Sequence, residues 1–180
     1  LQSFANLDHA RSKRTGFPEA IFAAGKTALQ VASILDDMAR NVNDTSSHET
    51  THVSNAILAT RVSPELYQEI LLYPLKNGTL VYHETAKIIS MVASSYQNRA
   101  AVSCKFSKVV IACAGTTDLP VAEEAAVTLE AAGCDVDRIY DVGVAGLHRI
   151  IHALPRLQHE TVGCVIVCAG MDGALPSVVG

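Results

Sequence analysis

The C-terminal half of the chain repeats one arrangement three times: an apolar, β-branched run that ends in a glycine-bearing loop. The loops are A-G-T-T-D at Ala114 to Asp118, D-V-G-V-A-G-L-H-R at Asp141 to Arg149, and A-G-M-D-G-A-L-P-S at Ala169 to Ser177. From Lys108 the pattern reads strand (Lys108 to Cys113), helix (Pro120 to Ala132, closed by Gly133), strand (Val136 to Asp141), helix (Gly146 to Leu154) and strand (Thr161 to Cys168). Parallel strands need crossover connections, and right-handed crossovers stack helices on both faces of the sheet. The expected fold class is therefore α/β, a three-layer parallel sheet of flavodoxin or Rossmann type. Loops leaving the carboxyl ends of such strands share one rim, where ligands of these folds bind.

The first half is organised differently. Thr27 to Arg40 places Val31, Ile34, Leu35 and Met38 on one helical face, and Thr27 with Gln30 forms a capping-box pattern. Asn43 to His52 is polar and reads as a surface loop, and Asn55 to Thr60 as a short buried strand. Ser63 followed by Pro64 starts a helix that ends near Tyr73, and Leu80 to His83 and Lys87 to Val92 are further strands. The polar, aperiodic stretch Ser94 to Ser107 reads as a linker. The chain thus divides into a small N-terminal α/β region (1–95), a linker (96–107) and a C-terminal domain (108–180). With Leu1 in place of an initiating methionine, and Gly180 where a helix should be starting, the sequence is expected to be a fragment, with that domain incomplete.

Charge and composition narrow the partners. A net charge of -4 gives no polycationic face, so nucleic acid is not expected as a partner. No apolar run approaches the roughly 20 residues that span a bilayer, and Leu1 to Thr15 lacks a signal-peptide core, so no membrane association is expected. Five cysteines are an odd number, and Cys113, Cys164 and Cys168 lie in apolar runs where a thiol acts as a small hydrophobe. Cys164 and Cys168 stand about 13 Å apart along a strand, too far for a disulfide or a shared metal. A reducing, cytoplasmic location fits, or an organelle such as a plastid if a transit peptide precedes Leu1.

Three short motifs carry less than they suggest. His48-Glu49-Thr50-Thr51-His52 matches the H-E-x-x-H zinc pattern, but adjacent threonines and the absence of an apolar helical stripe favour a solvated loop. Gly25-Lys26-Thr27 resembles the end of a phosphate-binding loop, yet the glycine required upstream is Ala20. Arg11, Lys13 and Arg14 form a short basic cluster, by default a solvated face, in the minority reading an anion clamp.

The rim loops offer the better chemistry. Gly115, Thr116, Thr117 and Asp118 precede Pro120, whose fixed φ suits a first helical turn and leaves backbone N–H groups free for a phosphate. Asp118 either caps the helix or serves a ribose hydroxyl, a metal or a proton transfer. Gly143 and Gly146 bracket Val144 and Ala145; Arg149 can hold a carboxylate or phosphate bidentately, and His148 can exchange a proton near neutral pH. The third loop adds Gly170, Met171, Asp172 and Gly173, then Pro176 and Ser177.

On these residues the sequence resembles the phosphoribosylaminoimidazole carboxylases (PurE) and, more closely, the related LarB proteins of nickel-pincer cofactor biosynthesis. The PurE loops G-S-x-S-D, S-A-H-R and A-G-x-x-H-L-P have counterparts at Gly115 to Asp118, Ala145 to Arg149 and Ala169 to Pro176. LarB-like stretches extend further: R-T-G-F-P-E at Arg14 to Glu19, G-K-T at Gly25 to Thr27, A-T-R at Ala59 to Arg61, and the runs Ala114 to Ala125, Tyr140 to Arg149 and Ala169 to Gly180. Where PurE carries a catalytic histidine before Leu-Pro, this chain has Ala174, which cannot shuttle a proton.

The LarB resemblance implies a flavodoxin-like, PurE-like domain and an enzyme. Its activity would be carboxylation of the pyridinium ring of nicotinic acid adenine dinucleotide by carbon dioxide or bicarbonate, with phosphoanhydride hydrolysis releasing AMP. It further implies a cysteine nucleophile in a segment beyond Gly180, no tightly bound cofactor, magnesium near the diphosphate, and a homo-oligomer. Asp118, Asp172 and His148 are then the expected catalytic groups. Gly115, Thr116, Thr117, Gly143, Ala145, Gly146, Arg149, Gly170, Met171, Gly173, Arg14 and Lys26 are the expected substrate-binding residues. The alternatives are an aminoimidazole ribonucleotide carboxylase of purine biosynthesis and a non-catalytic nucleotide-binding or interaction protein.

Overall fold

The computed structural model describes residues 4–45, 57–96 and 107–180, and the chain separates into two compact units, Leu1–Ala101 and Val102–Gly180. Unit 1 runs α1 (Arg11–Thr15), β1 (Ile21–Phe22), α2 (Ala28–Thr45), β2 (Ile57–Thr60), α3 (Pro64–Ile70), β3 (Gly78–His83) and β4 (Ile88–Ala93). Its sheet has the order β1-β2-β4-β3, parallel between β1 and β2 and antiparallel elsewhere. The capping box at the start of α2 is formed in both directions. The Thr27 N–H donates to Gln30 Oε1 at 3.0 Å, and the Gln30 N–H to Thr27 Oγ1 at 3.3 Å. Val31, Ile34, Leu35 and Met38 are all buried in one core with Ile57, Ala59, Ile89 and Met91.

α2 runs to Thr45, beyond the Arg40 boundary expected from sequence and into the stretch read as loop. The reason is Val42, which extends the apolar stripe one more turn and packs on the same core. The rest of that stretch, including His48 and His52, lies outside the described residues, as does the start of the strand expected at Asn55. α3 begins where expected, with Ser63 Oγ accepting the Leu66 N–H at 3.2 Å and Pro64 in the first turn. It closes at Ile70, and turns carry the chain past Tyr73.

Unit 2 runs β5 (Lys108–Cys113), α4 (Leu119–Ala131), β6 (Val136–Ile139), α5 (Leu147–Leu157), β7 (Val162–Cys168) and α6 (Ala174–Val179). Its sheet is wholly parallel with the order β6-β5-β7. Alternation along β5 splits the core in two. Ile111 and Cys113 pack with Ala122 and Ala126 of α4, while Val110 and Ala112 pack with Ile150, Ala153 and Leu157 of α5 and Leu175 of α6. Both faces of the central strand are covered, which is why it reads as an unbroken apolar run. This is the flavodoxin-like arrangement expected, with the point of reversal between β5 and β7.

α5 continues past Leu154, where the sequence reading ended it, through Pro155 to Leu157. Proline disfavours helix in the residue before it, but burial of Leu157 against the sheet holds the extra turn in place. At the amino end of the sheet, Arg156 donates to Asp137 at 3.1 Å and to the Arg138 carbonyl at 2.7 Å. Arg138 in turn reaches Glu130 at 2.5 and 2.9 Å and Glu123 at 3.2 Å, fastening α4 to β6.

Candidate functional site

The three rim loops of unit 2 are joined through a single residue. The Ala114 N–H donates to the Cys168 carbonyl at 3.1 Å, and the Ala114 carbonyl accepts the Gly143 N–H at 2.9 Å. The Val142 N–H adds a bond to the Cys113 carbonyl at 3.0 Å. The loops that follow β5, β6 and β7 therefore meet at one carboxyl edge. A Cβ built on Gly143 would stand 2.8 Å from the Ala114 carbonyl oxygen, so this position admits only glycine without displacing backbone.

The first loop turns as a single 3-10 segment, Thr116–Asp118, that leads into α4. One Asp118 carboxylate oxygen accepts the Gly115 N–H at 2.9 Å, so Asp118 braces its own loop and makes no side-chain cap on α4. That bond is local and uses one of its two oxygens. Thr116 and Thr117 are exposed beside it.

In the second loop Asp141 adopts a left-handed conformation, φ 57°, which an aspartate tolerates better than most residues. Its carboxylate pairs with Arg149 Nη1, reaching across the turn Val144–Gly146. The Arg149 guanidinium folds back over Gly146, where an added Cβ would stand 2.5 Å from Nε. Nε itself is buried without a hydrogen-bond partner. Ala145 and His148 are exposed, and the His148 ring stands edge-on to His152 with centroids 6.4 Å apart.

The third loop carries two successive left-handed residues, Asp172 at φ 72° and Gly173 at φ 60°. Together they reverse the chain into α6, and Ser177 Oγ donates back to the Gly173 carbonyl at 3.2 Å. Gly170 and Asp172 are exposed, the Met171 backbone lies in the turn, and Leu175 anchors the loop in the core beside Val142. Behind the rim, burial pushes the Cys113 and Cys168 thiols up from their ordinary range, and the nearby Asp118 charge adds to the effect on both.

Arg14 and Lys26 belong to unit 1 and have local partners there. Arg14 pairs with Asp8, and Lys26 Nζ donates to the Phe22 carbonyl at 2.8 Å. The R-T-G-F-P-E stretch shapes a turn: Gly16 at φ 80° closes α1, Thr15 Oγ1 donates to the carbonyls of Arg11 and Phe17, and Glu19 accepts the Asp8 N–H. An open groove of about 480 Å3 in unit 1, lined by residues that include Leu29, Asp36, Arg40 and Tyr73, contains none of the expected substrate-binding residues. Among the described residues no group of three or more His, Cys, Asp or Glu side chains is arranged to hold a metal ion.

Sequence reasoning passed over two participants. Ala114 acts through its backbone alone and so left no side-chain signal, while Asp141 stood inside a quoted motif without its partner being foreseeable. Residues 1–93 match the LarB/PurE-like N-terminal domain. The chain is also 38% identical, over 99% of its length, to an uncharacterized protein of Methanocaldococcus jannaschii, and it spans 64% of that relative.

Proposed function

This chain belongs to the LarB/PurE-like family, and from that membership we propose that the protein of which it is part carboxylates the pyridinium ring of nicotinic acid adenine dinucleotide and hydrolyses its phosphoanhydride, releasing AMP. The observation that carries this reading is the shared rim, in which one residue, Ala114, bonds the loops of three strands at the carboxyl edge of the sheet. A nucleotide is the ligand that such an edge suits best, because turn N–H groups and helix starts offer a phosphate several donors.

Carboxylating an electron-poor ring needs electron density added by a nucleophile, carbon dioxide held beside the activated carbon, and a base for the ring proton. By the LarB resemblance, the nucleophile is a cysteine beyond Gly180. Within this chain Asp118 and Asp172 are the carboxylates available as base, and His148 is a solvent-facing proton carrier. Arg149 is the anion partner for a substrate carboxylate or phosphate. To serve, its guanidinium exchanges the Asp141 carboxylate for the ligand, an exchange between charged partners that starts from an ordered arginine. A magnesium ion takes phosphate oxygens, waters and one or two carboxylates; whichever of Asp118 and Asp172 does not act as the base would supply a carboxylate to it. Bound there, the ion would neutralise diphosphate charge during hydrolysis.

Ala174 at the first position of α6 stands against simple aminoimidazole carboxylation. The deciding experiment incubates full-length protein with the dinucleotide, magnesium and labelled bicarbonate, following label and AMP. Label in a pyridine product with AMP release is expected. Unlabelled product overturns the proposal, and labelling of aminoimidazole ribonucleotide in a parallel reaction would transfer the assignment to the purine enzyme. Ligand binding without turnover would leave a nucleotide-binding protein.

A further inference from the structure

Cys113 and Cys168 end β5 and β7 at the same register position. Both belong to the face covered by α4, so their side chains project side by side. Hydrogen-bonded neighbouring strands lie about 4.8 Å apart, within the roughly 4.4–6.8 Å between Cα atoms that a disulfide spans. Both cysteines are free thiols. Cys113 is fully buried and its Sγ donates to the Gly115 carbonyl at 3.6 Å, whereas Cys168 is partly exposed. The pair therefore lies directly beneath the first and third rim loops, with an accessible member and a protected one.

We propose that Cys113 and Cys168 form a dithiol site that a peroxide oxidises to a disulfide at the base of the rim. The Cys168 thiolate attacks a peroxide oxygen, the O–O bond breaks, and hydroxide leaves behind a sulfenic acid. The Cys113 thiolate then attacks the Cys168 sulfur, forming the S–S bond as the S–O bond breaks and a second hydroxide departs. The two thiol protons convert both hydroxides to water, so two electrons pass from the thiols to the peroxide. Burial holds both thiols up, which keeps the thiolate fraction small and the first step slow near neutral pH. A disulfide holds the Cβ atoms about 3.8 Å apart, so the bond ties the two strand ends to one another. It also removes the thiol donor from the Gly115 carbonyl, loosening the first loop from its support.

The test needs no nucleotide, so its outcome is separate from that of the carboxylase reading. The full chain is treated with hydrogen peroxide, then denatured, alkylated and mapped by mass spectrometry. The expected product has lost two hydrogens and contains a Cys113–Cys168 linked peptide that dithiothreitol reverses. In a chain with Cys104→Ser, Cys134→Ser and Cys164→Ser, the same link should form, and adding Cys113→Ser should leave Cys168 as sulfenic or sulfinic acid. If the triple variant does not fold, mapping of the natural chain decides alone. Full alkylation of both cysteines under peroxide that oxidises the exposed Cys164 overturns the proposal, as does a link from Cys168 to any other cysteine.

Discussion

Gly143 shows how one hydrogen atom in place of a side chain sets the geometry of a site. A methyl group there meets the Ala114 carbonyl oxygen at 2.8 Å, so Gly143→Ala should destabilise unit 2 by about 1–3 kcal/mol, the usual cost of overpacking. Urea denaturation of the variant against the parent chain measures it. Gly146→Ala contrasts with this, because its added methyl meets only the side-chain end of Arg149 and no backbone. Stability should stay within about 1 kcal/mol, while substrate KM rises because the guanidinium is pushed from its place. A second charge effect concerns Asp137. Hydrogen bonding to Arg156 lowers its pKa, so the stabilisation is present above the unfolded carboxylate value of ~3.9 and fades as pH falls through the lower folded value. Asp137→Asn should therefore lower the urea midpoint at neutral pH, and the gap to the parent chain should close in acid.

Among the secondary-structure elements, α2 and α5 show what local sequence decides and what it does not. The start of α2 was legible, since Thr27 and Gln30 satisfy each other's backbone N–H groups. Thr27→Ala should cost about 1 kcal/mol, read as a shift in the thermal midpoint, and Thr27→Ser should restore most of it. Its end was not legible, because Val42 sits among polar residues and gains its meaning only from the core it touches. Pro155 in α5 makes the same point from the other side: a local signal to stop is overridden by burial of Leu157. β5 was the clearest strand, matching its expected limits from Lys108 to Cys113, because a strand covered on both faces writes itself as a continuous apolar run; β6 stops at Ile139 rather than Asp141, where the chain turns left-handed. The rim glycines could be read too. What escaped was contact between distant segments: the Asp141–Arg149 pair, the in-register Cys113 and Cys168, and the hub at Ala114.

Among the described residues each unit has its own hydrophobic core, that of unit 2 divided between the two faces of its sheet. Ile111 is fully buried in the centre of the second, and Ile111→Ala should remove about 2–5 kcal/mol from it. Hydrogen exchange should then show faster opening through β5, β6 and β7, with β2 and β4 keeping their protection; equal loss in both sheets would mean that the units unfold together. The shared rim has its own consequence for how the protein could change. Because the amide and the carbonyl of Ala114 hold separate loops, lengthening any one of them would tear a bond that also positions its neighbour. New ligand preferences on this scaffold are thus easiest to reach by exchanging side chains along fixed lips, and insertions at the mouth should be tolerated worst.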